Sequence, residues 1–172
     1  MISSLIAASV LLAAGPPDHL FEDLQNAPSP EAAEPIAEDI WASWLEGDSA
    51  VIEVIMKRAM EAQGAGALDT ALEFYDQAIL IAPDYAEAYN RRATVFLAQD
   101  KLDEALLDLN EALRLEPRHF GAWMGMGIIL EELGAEEEAI RAFEKVLEYH
   151  PQSRTARDAI ARLRKETLGR GI

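Results

Sequence analysis

Apolar residues recur at intervals of three and four along residues 52–153, and the whole pattern returns after 34 residues. Intervals of three and four place apolar side chains on one face of a helix, so each period predicts amphipathic helices. A proline closes each period and ends its second helix, because proline lacks the amide hydrogen and clashes with the preceding turn. These prolines are Pro83, Pro117 and Pro151. The pattern predicts three helix pairs, over residues 52–85, 86–119 and 120–153.

The same positions of each period carry the same kinds of residue. The first helix has a large residue at Ile55, Tyr89 and Trp123, followed by a small residue at Ala59, Ala93 and Gly127. The second helix opens with Ala71, Ala105 and Ala139, and continues with Tyr75, Leu109 and Phe143. Small residues at fixed positions indicate close helix crossings. The turn between the helices carries Gly64 and Gly66, then Asp100, then Gly134.

This order of large, small, alanine and proline residues at a period of 34 resembles the tetratricopeptide repeat, a helix-turn-helix unit. The resemblance implies an all-α fold, a right-handed superhelical array of antiparallel helix pairs. It also implies a surface that binds other proteins and has no catalytic role. Arginine is common at the seventh position of the first helix in this family, and Arg58 and Arg92 are expected to form structural ion pairs there.

Two flanking segments complete the array. Residues 16–51 are acidic and include a predicted amphipathic helix over residues 31–46, with Ile36, Ile40 and Trp44 on one stripe beside Trp41 and Leu45. Extending the period backwards places Phe21, Ala37 and Trp41 on marker positions, so one interpretation of this segment is a degenerate leading repeat. Residues 154–172 hold a charged amphipathic helix, expected to end at Gly169 and to cap the open end of the array.

The first 15 residues indicate export. Residues 5–14 form an apolar run that is too short to span a bilayer, and Gly15 with Ala13 provides small residues for cleavage. We therefore expect a signal peptide over residues 1–15, a periplasmic protein and no stable membrane span after cleavage. The alternative is an uncleaved N-terminal anchor.

Composition excludes several functions. The net charge of −16 argues against binding of nucleic acid, which depends on lysines and arginines that neutralise phosphates. The chain has no cysteine, which excludes disulfides and thiolate metal sites. His19, His119 and His150 match no metal-ligand spacing, and no nucleophile elbow or phosphate-binding loop occurs. We expect no catalytic residues, no metal site and no cofactor.

The resemblance implies that certain positions of each first helix line the inner face of the array. The predicted partner-binding groove consists of Met56, Met60, Asn90, Arg91, Thr94, Leu97, Gly121, Met124, Gly125 and Ile128. Its methionines, Leu97 and Ile128 form an apolar, deformable surface of the kind that accepts a peptide or a helix. The alternative is that the methionines pack against the leading helix or the protein's own tail.

Within this groove, Gly121 and Gly125 suggest a hot spot for a partner. Their missing side chains would expose backbone beside Asn90 and Arg91, with Arg91 or Arg118 binding a carboxylate of the partner. The alternative is that the glycines make room for the bulky Phe120 and Trp123. Members of this family that clamp a chaperone's terminal carboxylate use lysine and asparagine in the first repeat, where this chain has Met56 and Met60.

These observations predict a non-enzymatic adaptor or assembly factor of a cell envelope, and the resemblance implies that this envelope is bacterial. The sequence does not identify the protein or peptide partner. One alternative is a structural subunit of an obligate or self-associated complex. A weaker alternative is an accessory envelope enzyme. The absence of a catalytic constellation in the sequence counts against it.

Overall fold

A computed structural model describes residues 15–47 and 49–170, with side chains up to residue 167. The predicted signal peptide therefore lies, except for Gly15, outside the described residues. The described residues form helices and turns without a strand, which confirms the all-α array of helix pairs. The helices are α1 (Asp18–Asn26), α2 (Pro30–Leu45), α3 (Ala50–Gly64), α4 (Leu68–Ile81), α5 (Ala86–Ala98), α6 (Leu102–Leu115), α7 (Phe120–Glu132), α8 (Glu136–Tyr149) and α9 (Arg154–Arg170).

Three antiparallel pairs, α3–α4, α5–α6 and α7–α8, stack in chain order. The small residues of the period make these crossings close. Ala59, Ala71 and Ala105 are fully buried. A Cβ atom on Gly127 would lie 2.5 Å from Cε1 of Phe143, so the first helix of the third pair needs a glycine at that position. None of the described helices is both long enough and apolar enough to serve as a membrane span.

The turn inside each pair depends on one left-handed residue. Gly66, Asp100 and Gly134 occupy the same position of the period and have φ values of 75°, 60° and 73°. Glycine adopts this region without penalty, whereas an L residue with a side chain is disfavoured there. The second turn is therefore the strained one.

We expect Asp100→Gly to raise the free energy of unfolding by about 0.5–1 kcal/mol, because it relieves a disfavoured backbone conformation. Lys101→Gly is the matched control, since Lys101 has an ordinary φ of −97° and gains nothing from glycine. Urea denaturation followed by circular dichroism measures both. A gain in Lys101→Gly equal to that in Asp100→Gly would rule out this explanation.

The C-terminal end of the array is covered by α9. Ala156, Ile160 and Leu163 of this helix are buried against α8. Two ion pairs fix the contact, Arg162 with Glu131 and Arg164 with Glu144. The helix continues through Gly169 to Arg170, slightly beyond its expected end.

Helices α1 and α2 form a hairpin, the leading hairpin, that lies across the turns between repeats. Its first end is fixed where Arg118 pairs with Asp18 at 2.6 Å. Further along, the side-chain amide of Gln152 donates to the carbonyl of Ala27 at 2.9 Å. At its last end, the Tyr85 hydroxyl donates to the carbonyl of Leu45 at 3.0 Å. The hairpin therefore covers the N-terminal ends of α5, α7 and α9.

This placement differs from the interpretation of the segment as a degenerate leading repeat. A leading repeat would pack along α3, whereas α1 packs on α8 and α2 packs on α5. The physical reason lies in the stripe of α2. Its two tryptophans meet the aromatic residues at the start of α7, so the apolar stripe is buried against the third pair and not against the first.

Candidate functional site

One cavity on the inner face brings together five of the predicted groove residues. Its volume is about 430 Å³. The predicted residues in its wall are Asn90, Arg91, Thr94, Gly121 and Met124. The other lining residues are Trp41, Phe120, Val146, His150 and Ser153. We call this space the inner cavity. Helices α5 and α7 form its floor, α2 forms one side, and the turn between α8 and α9 closes its far end.

Trp41 of the leading hairpin reaches over the inner face at Gly121. A Cβ atom on Gly121 would lie 2.3 Å from Cη2 of Trp41, so the missing side chain at Gly121 accommodates the indole. The Arg91 guanidinium lies 5.7 Å from the centroid of the same ring, within the range of a cation–π contact. Gly121 thus makes room for an aromatic side chain of the same chain, although for Trp41 and not for Phe120 or Trp123.

A buried carboxylate organises the polar floor of the cavity. Glu87 accepts hydrogen bonds from Arg91 Nε at 2.6 Å, from Asn90 Nδ2 at 2.9 Å and from His119 Nε2 at 2.8 Å. The Ala122 amide donates to His119 Nδ1 at 3.1 Å, so the ring proton lies on Nε2 and points to Glu87. Burial raises the pKa of Glu87, but the hydrogen bonds from His119 and the charge of Arg91 outweigh it and hold the pKa below its usual value.

His119 joins this network to the leading hairpin. Its side chain is fully buried and stacks on Trp44, with centroids 3.9 Å apart and ring planes inclined by 6°. The same histidine caps α7 through Ala122. His119 is therefore a structural residue that ties α2, α5 and α7 together, in keeping with the absence of any metal-ligand spacing around it.

A second cavity of about 490 Å³ adjoins the first. The two share Trp41, His150 and Ser153. The second is lined by Glu31, Glu34 and Glu38 of α2 and by Arg154, which lies 3.7 Å from Glu31. The pKa of Glu31 is lowered by its position at the start of α2, where a backbone amide and Ser29 donate hydrogen bonds to it. We call the two adjoining cavities the groove, which is apolar at the Met124 end and has three glutamates and one arginine at the Glu31 end.

His150 stands where the two cavities meet. Its Nδ1 atom is buried and has no hydrogen-bond partner among the described residues. Burial and the nearby charge of Arg157 lower the pKa of His150, so the ring is neutral at pH 7.

The other predicted groove residues lie elsewhere. Met56 is almost fully buried among Ile52 and Tyr75, and Met60 packs on the same cluster. Leu97 packs against the core beneath α5 and α6. A Cβ atom on Gly125 would touch Leu109 of α6, so Gly125 faces its neighbouring helix. Ile128 is exposed outside the cavity. Of the three groove methionines, Met124 alone borders the cavity.

Arg118 already binds carboxylates of its own chain. It pairs with Asp18 at 2.6 Å and with Glu116 at 2.9 Å, and its guanidinium lies 4.2 Å from the Phe21 ring centroid. Arg91 is likewise paired with Glu87 at 2.6 Å. Arg91 and Arg118, which were predicted to bind a carboxylate of the partner, are thus both paired with carboxylates of their own chain.

Sequence reasoning did not assign Trp41, His150 and Ser153 to the site. Trp41 and its neighbours form an apolar stripe that needs a covering surface, but a stripe does not reveal which surface covers it. His150 and Ser153 flank Pro151, the closing proline of the third repeat. They line a cavity because Trp41 of the leading hairpin lies opposite them.

The array matches known proteins in sequence. A family model described as tetratricopeptide repeat matches residues 90–154. A TPR repeat-containing protein of Rhizobium etli is 36% identical over 152 residues, which is 88% of this chain and 74% of the relative. The DnaJ homolog subfamily C member 3 of Homo sapiens is 34% identical over 119 residues, 69% of this chain and 24% of that protein. The chain thus spans about a quarter of this second relative.

Solved structures show the same fold. The TPR domain of OM64 from Arabidopsis superimposes with a TM-score of 0.65 at 30% identity, covering 67% of this chain and 95% of that domain. The first TPR domain of Spaghetti (RPAP3), bound to the HSP90 peptide SRMEEVD, superimposes with a TM-score of 0.67 at 23% identity, covering 70% of this chain and 96% of that one. At this identity the second likeness concerns the fold alone.

Proposed function

Because the chain belongs to the tetratricopeptide repeat family, whose domains are protein-interaction modules, we propose that it is an adaptor or assembly factor that holds a partner segment in the groove formed by the two cavities. The inner cavity supports this proposal most directly. Five residues of the first helices meet there around an open space of about 430 Å³ that the leading hairpin borders without filling. A space of this size accepts one large side chain or a short turn of helix.

The chemistry of the groove favours one kind of partner segment. The inner cavity offers Met124, Val146 and the Trp41 ring to an apolar side chain. Glu31, Glu34 and Glu38 outnumber Arg154 in the adjoining cavity, and the chain as a whole carries a charge of −16. A segment with an apolar anchor followed by lysine or arginine complements both ends, with the cationic part also favoured by long-range attraction. An acidic chaperone tail does not fit an acidic wall.

The proposal is tested by selecting random displayed peptides on the immobilised protein and titrating the enriched peptide by tryptophan fluorescence. We expect an apolar residue followed by basic residues. Met124→Glu should raise the dissociation constant by about tenfold or more, because it places a charge where the anchor lies. Glu34→Gln combined with Glu38→Gln should weaken binding less and reduce its salt dependence.

Leu107→Glu is the matched control, since Leu107 is 71% exposed on α6 and lies outside the groove. Circular dichroism shows whether each variant retains its fold. Equal affinity of the enriched peptide for Met124→Glu and for the unchanged chain would contradict the inner cavity as the binding site.

We also propose that this adaptor works in the cell envelope after export. The support is the apolar run of residues 5–14 with small residues at 13 and 15. The intact mass of the protein recovered from the periplasm of its own cells tests export. A chain that begins at Pro16 is the expected result, and a full-length chain in the cytosolic fraction would contradict it.

A further inference from the structure

Among the described residues no helix covers the outer face of α3, although the same face of α5 and α7 is buried. One helix face carries Val54, Arg58 and Glu61. The residues 34 positions later are Ala88, Arg92 and Val95, and those 68 positions later are Ala122, Met126 and Ile129. The alanines, Val95 and Ile129 are almost fully buried, because a preceding helix pair covers them. On α3, Val54 is 51% exposed, since the leading hairpin packs elsewhere.

Further apolar residues extend this edge. Val51, one turn before Val54, is 59% exposed. Ile81, at the adjoining end of α4, is 54% exposed, and Phe74 is half-buried. The later counterparts of Phe74 are Asp108 and Ala142, both buried. We call Val51, Val54, Arg58, Glu61, Phe74 and Ile81 the N-terminal edge. It combines exposed large apolar residues with two charges.

Arg58 has lost the partners that its counterpart has. Arg92 pairs with Asp76 of the preceding helix pair at 2.6 Å and with Asp108 of its own pair at 2.7 Å, which confirms the expected structural ion pair. Phe74 stands in the first repeat where the second has Asp108, and no helix pair of the described residues stacks on this face of α3. Arg58 is therefore exposed without an ion pair among the described residues, and so is Glu61.

We propose that the N-terminal edge binds a second copy of this chain, with the two α3 helices antiparallel about a two-fold axis. In the register that places Arg58 opposite Glu61 of the second copy, symmetry repeats the pair, so both charges of each copy are neutralised. The same register sets Val54 against Ala65 of the other copy. A parallel arrangement would instead oppose Arg58 to Arg58.

The other end of the array directs self-association to this edge. Helix α9 covers α8, and its Arg164 forms an ion pair with Glu144 of α8. The N-terminal edge of one chain therefore cannot stack on the C-terminal repeat of another. A head-to-tail filament is thereby blocked. The edge-to-edge contact closes after two copies, giving a dimer with both peptide grooves free.

Sedimentation equilibrium of the full chain tests the proposal, from about 1 to 100 µM, a range that covers weak specific dimers. We expect a species of twice the 18.9 kDa chain mass at the upper concentrations. Arg58→Glu and Glu61→Arg should each weaken dimerisation about tenfold, because like charges then face each other. The double variant Arg58→Glu/Glu61→Arg should restore it.

Val54→Glu should abolish the dimer, whereas Leu107→Glu on the exposed side of α6 should leave it unchanged. Every residue substituted here is exposed in the monomer, so circular dichroism should report an unchanged fold. A monomer at every concentration would overturn the proposal, as would a dimer that the charge exchange fails to restore. Neither result bears on the groove, because no residue of the N-terminal edge lines either of its cavities.

Discussion

Trp44→Ala is expected to lower the free energy of unfolding by about 3–5 kcal/mol. Trp44 is 4% exposed and is surrounded by Phe21, Phe120 and the stacked His119 ring. Truncation to alanine leaves a cavity between the leading hairpin and α7. The indole nitrogen has no hydrogen-bond partner among the described residues, so the cost comes from lost packing.

Urea denaturation measures the effect, and Trp44→Phe serves as its control. Phenylalanine keeps an aromatic ring against His119 and should lose less than half as much stability. Trp41→Ala should also cost less, because Trp41 is half-buried and borders an open cavity. A loss below about 1 kcal/mol in Trp44→Ala would show that the hairpin is not docked on α7, because surface changes have effects of that size.

Glu87→Gln is expected to lower the free energy of unfolding by about 2–4 kcal/mol. Three donors, on Asn90, Arg91 and His119, converge on the two carboxylate oxygens. A glutamine has one acceptor oxygen, so its amide group must face one of these donors. The exchange leaves shape almost unchanged, which makes the loss a measure of charge and hydrogen bonding. Glu73→Gln on the exposed face of α4 is the matched control, since it removes the same charge at the surface.

The same carboxylate predicts a pH dependence of stability. The pKa of Glu87 is lowered in the folded protein from its usual value of 4.5. A lowered pKa contributes stability that is present above the unfolded pKa and is lost as the pH falls through the folded pKa. Between pH 7 and pH 3 the unchanged chain should therefore lose more stability than Glu87→Gln does. Parallel curves for the two proteins would contradict the role assigned to Glu87.

The repeats could be predicted from the sequence because their signal is local and occurs three times. Pro83, Pro117 and Pro151 mark the ends of second helices, and the turn position that holds Gly66 and Gly134 identifies Asp100 as strained. Periodicity of this kind fixes which side of a helix is buried and which helix follows it. The ion pairs of Arg92 follow from the same register, since the acids it meets lie 16 residues before and after it.

The position of the leading hairpin could not be predicted in this way. The stripe with Ile40 and Trp44 shows that α2 is covered, but the period extended backwards favours α3 as its neighbour. The actual choice depends on non-local contacts, namely the stacking of Trp44 on His119 and the hydrogen bond from Gln152 to Ala27. These residues lie 75 and 125 positions apart in the chain, beyond the reach of any local pattern.

The candidate site shows the same division. Asn90, Thr94 and Met124 were predicted to line the inner face because the repeat register places them there. Met56 was predicted on the same basis, yet it is buried with Tyr75 in the core of the first pair. Trp41 and His150 line the inner cavity only because the hairpin docks there. The repeat register alone therefore predicts about half of the residues that line this cavity.

The most direct test of the account concerns where the leading hairpin lies. The chain has no cysteine, so introduced pairs report one distance each. The Gln25 side chain reaches the carbonyl of Glu148 at 3.0 Å, and a short bismaleimide should therefore link Gln25→Cys to Glu148→Cys within one chain. The pair Gln25→Cys and Lys57→Cys, on α1 and α3, should remain unlinked. Crosslinking of the second pair in place of the first would contradict the docking of the hairpin across the inter-repeat turns.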